Sequence, residues 1–274
     1  MKQKGRVLAL RAVKVTAAAA DFVLPRHRGV VFLIYHRVGG GSGLEIDLSL
    51  ATFERQMEFL AERRRAVTVD QALRALASST PPAEDPVVVT FDDGTADFAD
   101  HALPILDRHR VPTMLYVATD FVERQRPFPH DGRPLTWSAL RDAVATGVVS
   151  VGSHTHTHAV LDRVDATDVD GELDRSIGLI GDRLGTEAAH FAYPKGVPGS
   201  AAADAAVRRR FRSAALGIIR SNRYGATDPY GLARTPIQSS DGMRWFTRKV
   251  AGGMTVEGTL RRAMNARRYA DATT

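Results

Sequence analysis

Residues 87–94 read Val-Val-Val-Thr-Phe-Asp-Asp-Gly, and the rest of the chain can be interpreted from this segment. Five consecutive apolar or β-branched residues predict a strand that is buried on both faces. Gly94 lets the backbone turn directly afterwards, so Asp92 and Asp93 lie side by side at the strand end. Two carboxylates this close repel each other unless a cation or a proton intervenes. A metal on one and a catalytic role for the other would resolve the conflict; capping of a helix that starts near Thr95 is the alternative.

A second polar cluster, His154-Thr-His-Thr-His158, follows the segment Ser-Val-Gly-Ser and holds three of the nine histidines. Imidazole is the commonest metal-binding side chain, and histidine together with one carboxylate suits zinc. If the segment coils as a helical turn, His154 and His158 share one face and His156 points elsewhere. If it is extended, all three histidines share one face. A polar loop without a functional role is the remaining alternative.

Together these motifs resemble a known family. Residues 90–94 (Thr-Phe-Asp-Asp-Gly) and 152–158 (Gly-Ser-His-Thr-His-Thr-His) resemble the first two signatures of the polysaccharide deacetylases, which are carbohydrate esterases of family 4 with a NodB-homology domain. Residues 191–196 (Phe-Ala-Tyr-Pro-Lys-Gly) resemble the third signature. Residues 33–38 (Leu-Ile-Tyr-His-Arg-Val) resemble the opening strand of the exopolysaccharide or biofilm-type branch, in which the motifs are permuted. The resemblance covers roughly residues 30–240.

The resemblance implies a role for each matching residue. It assigns one divalent metal ion, zinc first and cobalt, nickel or manganese as alternatives, to Asp93, His154 and His158. It makes Asp92 the general base. It also implies that the third signature lines the acetyl site and lends a backbone N–H to the oxyanion, which concerns Tyr193, Pro194 and Lys195.

The chain departs from the family pattern at three points. Ala192 stands where the family has an arginine that orients the base, and Lys195 stands where an aromatic residue is common. The late Leu-x-His motif that supplies the general acid is absent, since no histidine follows His190. In the permuted branch an early histidine takes that role, which makes His36 the candidate acid. A histidine at a strand end without a catalytic task is the alternative.

Alternating strand and helix patterns predict an α/β fold. The expectation is a single-domain, distorted and incomplete (β/α)7 barrel. Helical stripes are expected at 52–65 and 168–184, and Asp70 is expected to cap a short helix. The predicted strands are residues 30–35, 87–91, 113–118, 148–152, 190–193, 213–218 and 232–237. Active sites of such barrels lie at the C-terminal strand ends, where His36, Asp92, Asp93, His154 and Tyr193 fall.

Composition limits the other possibilities. The 274 residues include no cysteine, which excludes disulfides and thiolate ligands, and no apolar run is long enough to predict a spanning helix. Arg11 and Lys14 interrupt the apolar part of the N-terminus, so no signal peptide and a cytoplasmic location are expected. The expected organisation is a basic, helical N-terminal segment (1–28), the deacetylase barrel (29–243) and a basic, helical C-terminal segment (244–274).

Positive charge is concentrated at the two ends. Residues 1–28 hold seven Lys or Arg against one acid, and residues 244–271 hold seven against two. Basic ends on an acidic centre suggest contact with an anionic membrane surface at its inner face; solvated helix faces are the alternative. Nucleic acid is not expected as a partner, because no basic stripe is interleaved with aromatic residues.

The resulting hypothesis is a metal-dependent deacetylase that hydrolyses N-acetyl groups of amino sugars in a polysaccharide or glycan precursor. Trp137 and Tyr193 are candidate stacking faces for a sugar, although Trp137 is equally compatible with the core. Two alternatives are kept: a hydrolase of a lipid-linked sugar or small cyclic amide on the same fold, and a non-catalytic carbohydrate-binding module. Asp92 argues against the last, because a binding module needs no base.

Overall fold

The computed structural model describes residues 12–21, 23 and 27–260. Ten strands are found there. Seven form the barrel: β1 (Gly29–Tyr35), β4 (Val87–Phe91), β5 (Thr113–Val117), β6 (Val149–Ser153), β7 (His190–Ala192), β8 (Ser213–Leu216) and β10 (Leu232–Pro236). Three are two-residue strands: β2 (Arg37–Val38), β3 (Asp47–Leu48) and β9 (Asn222–Arg223).

Helices occupy the connections between the strands. They are α1 (12–20), α2 (Leu50–Glu62), α3 (Val69–Ala77), α4 (Leu103–Arg108), α5 (Thr119–Arg124), α6 (Trp137–Ala145), α7 (Ala166–Leu184), α8 (Ala201–Arg210), α9 (Gly242–Val250) and α10 (255–260). A π-helical turn, Phe98–Ala102, precedes α4.

The seven barrel strands run parallel in the order β1, β4, β5, β6, β7, β8, β10. Phe32 of β1 pairs with Arg234 of β10, so the last strand returns to the first. The predicted (β/α)7 barrel is therefore confirmed. It has seven units rather than the eight of a complete barrel, yet its ring of strands is closed by hydrogen bonds.

Alternate residues of each strand pack in two separate cores, because successive side chains point to opposite faces of the sheet. In β1, Val30 and Phe32 belong to a cluster with residues from strands all around the ring, which is the barrel interior. Val31, Leu33 and Tyr35 pack instead with the surrounding helices. This double burial explains why the strands read as continuous apolar runs.

Two helices follow the predicted stripes, with Phe53, Met57 and Leu60 buried on α2 and Leu173 and Ile180 buried on α7. The predicted cap of α3 was wrong. Thr68 is the N-cap, and its hydroxyl and the side chain of Gln71 form a reciprocal capping box. Asp70 lies inside the first turn, where a carboxylate favours the helix dipole without capping it.

Both described ends of the chain pack on the barrel. Lys14 of α1 lies 2.5 Å from Asp241, which also binds Lys249 of α9 at 2.8 Å. Lys249 in turn lies 3.4 Å from Glu257 of α10, and all four side chains are buried. Two cations and two carboxylates thus compensate each other out of water. The basic residues of the predicted end segments within 1–11, at position 26 and within 261–274 lie outside the described residues.

Within the described residues, no helix combines the length and the apolar character needed to cross a membrane.

Candidate metal centre and active site

The C-terminal ends of β4 and β6 bring together three metal-ligating side chains. Asp93, His154 and His158 each offer one ligand atom, and these atoms lie within 4.8 Å of one another. His158 Nε2 lies 3.4 Å from Asp93 Oδ1, and His154 Nε2 lies 3.8 Å from the same oxygen. Two imidazole nitrogens and one carboxylate oxygen form a three-ligand set, which is typical of a catalytic divalent metal, whose fourth position stays open. The residues assigned by resemblance therefore fit such an ion.

Hydrogen bonding and burial prepare His154 for this role. Its Nδ1 lies 2.7 Å from the carbonyl oxygen of Ala192, an acceptor, so Nδ1 carries the proton and Nε2 is free to ligate. Burial lowers the pKa of His154 to about 4, which keeps the imidazole neutral at neutral pH. Burial alone would raise the pKa of Asp93, but the hydrogen bond from His158 and the nearby His36 hold that pKa far below its usual range.

The metal-binding loop, residues 154–158, has an unusual backbone. Thr155 and His158 both have φ near +63°, and Asp93 on the facing strand end has φ of +74°. Such left-handed conformations cost a non-glycine residue on the order of 1–3 kcal/mol. They turn His154 and His158 towards Asp93, so the loop is coiled rather than extended.

His156 lies outside the ligand group. Its Nδ1 is 2.9 Å from the Thr119 hydroxyl and its Nε2 is 3.5 Å from Asp120, both on α5. The extended alternative, with all three histidines on one face, does not apply. His156 anchors the loop to α5 from the side away from Asp93.

Asp92 is held by an arginine that the sequence analysis missed. Arg234 of β10 donates from Nη1 to Asp92 Oδ1 at 2.6 Å and from Nη2 to Oδ2 at 2.9 Å. Both side chains are buried in the barrel interior. The inference that Ala192 leaves the base without a guanidinium was therefore wrong, because the guanidinium comes from another strand. Burial alone would raise the pKa of Asp92, but Arg234 and His154 keep it below its ordinary value.

Two further side chains in the barrel interior contact the guanidinium of Arg234. Its guanidinium lies 5.1 Å from the centre of the Tyr116 ring, and Nη1 also donates to the Thr90 hydroxyl at 3.1 Å. A Cβ on Gly152 would lie 2.8 Å from the Tyr116 ring, so only glycine leaves room for that ring. Gly152, which begins the histidine motif, thus leaves room for the Tyr116 ring, and that ring contacts Arg234, the partner of Asp92.

His36 follows β1 directly and is half-buried at the same rim. It is close enough for its positive charge to lower the pKa of both Asp92 and Asp93. Strand β2, which follows His36, is held in place by a hydrogen bond from the Val38 N–H to Asp97 at 2.7 Å. The general-acid role of His36 stays a prediction.

The third signature presents fewer groups to a substrate than the sequence predicts. The Tyr193 ring is buried and its hydroxyl donates to Asp204 at 3.3 Å, so the expected stacking face is not available. The Tyr193 N–H donates to Ala215, Pro194 has no N–H, and the Gly196 N–H donates to Tyr193. Among these residues Lys195, with φ of +57° and an exposed side chain, retains an N–H without a partner in the described part of the chain.

Trp137 is half-buried at the start of α6 and packs against the core. Its indole N–H donates to Glu123 at 2.6 Å. The core interpretation of this residue therefore agrees with its packing.

A Ser–His–Asp chain at the opposite end of the barrel is not a second active site. His190 Nδ1 lies 2.9 Å from the Ser213 hydroxyl, and its Nε2 lies 3.4 Å from Asp70. Ser213 is fully buried at the start of β8. No substrate can reach this hydroxyl, so the chain satisfies buried polar groups rather than activating a nucleophile.

Comparison with known proteins agrees with the geometry. A family model described as Polysaccharide deacetylase matches residues 79–214, about half of the chain. A Bacillus subtilis (strain 168) protein named "Putative polysaccharide deacetylase YxkH" is 24% identical over 165 residues, which cover 60% of this chain and 56% of that protein. The chain therefore spans little more than half the length of this relative.

Two solved structures share the fold. The Streptococcus pyogenes deacetylase PplD, in complex with acetate, is 20% identical with a TM-score of 0.69, covering 82% of this chain and 99% of that one. IcaB from Ammonifex degensii is 24% identical with a TM-score of 0.70, covering 82% and 98%. At these identities the likeness concerns the fold.

The ion pair between Arg234 and Asp92 generates a stability prediction. Arg234→Met removes the charge but keeps an unbranched side chain, which leaves the Asp92 carboxylate buried without a cation. The free energy of unfolding at neutral pH, measured with urea, should fall by about 3–5 kcal/mol. Adding Asp92→Asn to this variant should recover part of the loss, because the unpaired charge is gone.

The same variant has an expected pH dependence. The native pKa of Asp92 lies below its ordinary value, so the stability from the pair is present above the unfolded pKa and is lost as pH falls through the folded pKa. The difference in the free energy of unfolding between wild type and Arg234→Met should therefore become smaller as the pH is lowered. Equal stability at neutral pH, or a difference that widens in acid, would contradict the assignment.

Proposed function

Since this chain belongs to the polysaccharide deacetylase family, we propose that it is a metal-dependent hydrolase that removes acetyl groups from N-acetylated amino sugars. One observation carries the proposal. A three-ligand site for a divalent metal, Asp93 with His154 and His158, lies beside a separate carboxylate, Asp92, that a buried arginine holds in place. A ligand set next to a positioned base is what hydrolysis of an amide requires.

The chain's own groups divide the reaction between them. A divalent metal held by Asp93, His154 and His158 would polarise the acetyl carbonyl and the attacking water. Asp92, ionised and oriented by Arg234, accepts the proton of that water. The Lys195 N–H donates to the oxygen that becomes negative as the carbonyl is attacked. His36, when protonated, gives a proton to the departing amine.

Zinc is the proposed ion, with cobalt, nickel or manganese as alternatives, because two imidazoles and one carboxylate suit a borderline divalent metal. The proposed substrate is an N-acetylated polysaccharide or glycan precursor. Support for the biofilm-type branch comes from His36, which follows the first strand, and from the fold shared with IcaB. The experiment below tests this proposal against two alternatives. One is a hydrolase of a lipid-linked sugar or small cyclic amide, and the other is a carbohydrate-binding module without turnover.

The main experiment separates the ligands from the base. Purified protein is loaded with zinc and given N-acetylglucosamine oligomers, lipid-linked sugars and sugar nucleotides while released acetate is assayed. Ala at Asp93, His154 or His158 should lower metal content and activity together. Asp92→Asn should keep its metal and lose about 100-fold or more of the turnover.

His156→Ala serves as the matched control, since His156 belongs to the same loop but is not a ligand; when loaded with saturating zinc it should retain its metal. Full metal occupancy in the His154→Ala and His158→Ala proteins would contradict the metal site, and near-normal turnover of Asp92→Asn would contradict the base. No acetate release from any member of the panel by metal-loaded wild type would favour a binding module or a different substrate.

A further prediction concerns His36. If His36 protonates the departing amine, His36→Ala should depress hydrolysis of an acetamide far more than of an acetate ester, whose leaving alcohol needs less help. Metal content should not change. Equal losses on the amide and the ester, or loss of metal, would mean that His36 has another role.

We also propose a cytoplasmic location, with the basic ends touching the inner face of an anionic membrane. Support comes from the excess of basic residues, seven against one acid in residues 1–28 and seven against two in residues 244–271. Lys14 and Lys249 are buried in ion pairs and do not contribute to this exposed charge. The protein should sediment with phosphatidylserine-containing vesicles at low salt and be released as salt rises, because ions screen exposed charges. Binding that ignores lipid charge and salt would exclude this proposal.

A further inference from the structure

Several backbone groups of the metal-binding loop, residues 154–158, form hydrogen bonds with neighbouring elements. The His154 N–H donates to Val117 of β5 at 3.0 Å. The carbonyls of Thr155 and His156 accept from the N–H groups of Thr119 and Asp120, at 3.4 and 2.8 Å. The start of α5 therefore binds the acceptors of the loop. Its donors must find partners on the other side.

Glu172 on α7 supplies partners for His156 and Thr157. Its backbone carbonyl accepts the His156 N–H at 3.1 Å, and its carboxylate makes the other contacts. Glu172 Oε2 accepts the N–H groups of His156 at 3.0 Å and Thr157 at 2.9 Å, and Oε1 accepts the Thr157 hydroxyl at 2.8 Å. Hydrogen bonds from N–H groups to an ionised carboxylate are among the stronger ones in proteins. Glu172 thus contacts two of the three residues that lie between one metal ligand, His154, and the other, His158.

One turn further along α7, Ser176 makes a second contact with the same region. Its hydroxyl lies 2.8 Å from that of Ser153, the residue before His154, and both are buried. Residues four apart share one face of a helix, so Glu172 and Ser176 form a continuous edge along the loop. Leu173 and Ile180, buried beneath this edge, fix α7 on the barrel.

The loop needs such support because its backbone is unfavourable by itself. Thr155 and His158 have positive φ, which is rare for any residue other than glycine and rarer still for a β-branched threonine. Without external partners the loop would relax and His154 and His158 would lose their mutual geometry. The bound metal would then have to reorganise the loop, which would weaken its binding.

We infer that Glu172 is a positioning residue of the metal centre, whose carboxylate preforms the loop that carries two of the three ligands. Glu172 lies outside the signature motifs and touches no ligand atom, so it acts only through the backbone of His156 and through Thr157. The inference rests on the proposed metal-dependent function. It extends that function by adding a residue that sets metal affinity.

The test uses the full chain and zinc alone. Glu172→Ala should weaken zinc binding by about 10- to 100-fold in competition with a chelator, the range seen when groups that orient metal ligands are removed. Glu172→Gln keeps an oxygen acceptor and should restore most of the affinity. Asp182→Ala is the matched control, since Asp182 is exposed on the same helix and has no polar partner among the described residues. At saturating zinc, Glu172→Ala should regain near-normal turnover.

A second measurement needs neither metal nor substrate. In the metal-free protein, amide hydrogen exchange at Thr157, whose N–H has only the Glu172 carboxylate as acceptor among the described residues, should be faster in Glu172→Ala than in wild type, and unchanged in Asp182→Ala. Unaltered zinc affinity together with unaltered exchange would overturn the inference. A wild type that binds zinc but releases no acetate would overturn the proposed function alone, because zinc affinity and exchange would still report on Glu172.

Discussion

The ion pair of Arg234 with Asp92 is the interaction on which the end of the barrel that carries the candidate site depends. A charge inside a protein is tolerated only when it is paired and hydrogen-bonded, and here both carboxylate oxygens meet one guanidinium. The two residues come from β10 and β4, which lie on either side of β1 in the ring. The pair therefore links the two strands that flank β1, at the point where the barrel closes.

This pairing also separates the roles of the two adjacent aspartates. Asp92 points into the barrel, where Arg234 compensates its charge. Asp93 has a left-handed backbone, with φ of +74°, and meets the histidines of the loop after β6. The repulsion expected between neighbouring carboxylates is thus relieved twice, by a guanidinium on one and by a ligand set suited to a cation on the other.

The two ends of the barrel show why residue types alone do not identify a site. Ser213, His190 and Asp70 have the composition of a hydrolytic triad. However, His190 and Ser213 lie at strand starts, Asp70 lies on α3, and the serine is fully buried. At the strand ends, by contrast, the side chains of His158 and Asp93 are partly exposed. Position on the barrel, together with exposure, distinguishes a functional cluster from a structural one.

Much of the fold was predictable from local sequence. All seven barrel strands coincide with predicted apolar runs, since strands buried on both faces need continuous apolar sequence. The same reasoning brought the motif residues to one rim. Details set by a few polar atoms are less predictable, as with the cap of α3. Residue type alone favours Asp70 as the cap, whereas Thr68 and Gln71 match the capping-box pattern that the structure contains.

The support of the site required tertiary structure. Arg234 lies 142 positions from Asp92, and its only sequence signal is a charged residue within a strand that should be buried. Glu172 is one of several acids on α7, and nothing in its spacing marks it as the one that reaches the metal-binding loop. Tyr193 reads as a stacking face but turns into the outer core. By itself the sequence determined the strands, the adjacent aspartates and the histidine cluster, because those depend on local periodicity and spacing. Which charges compensate Asp92 and what holds the loop were decided by the closure of the barrel, because it brings distant side chains within hydrogen-bond reach.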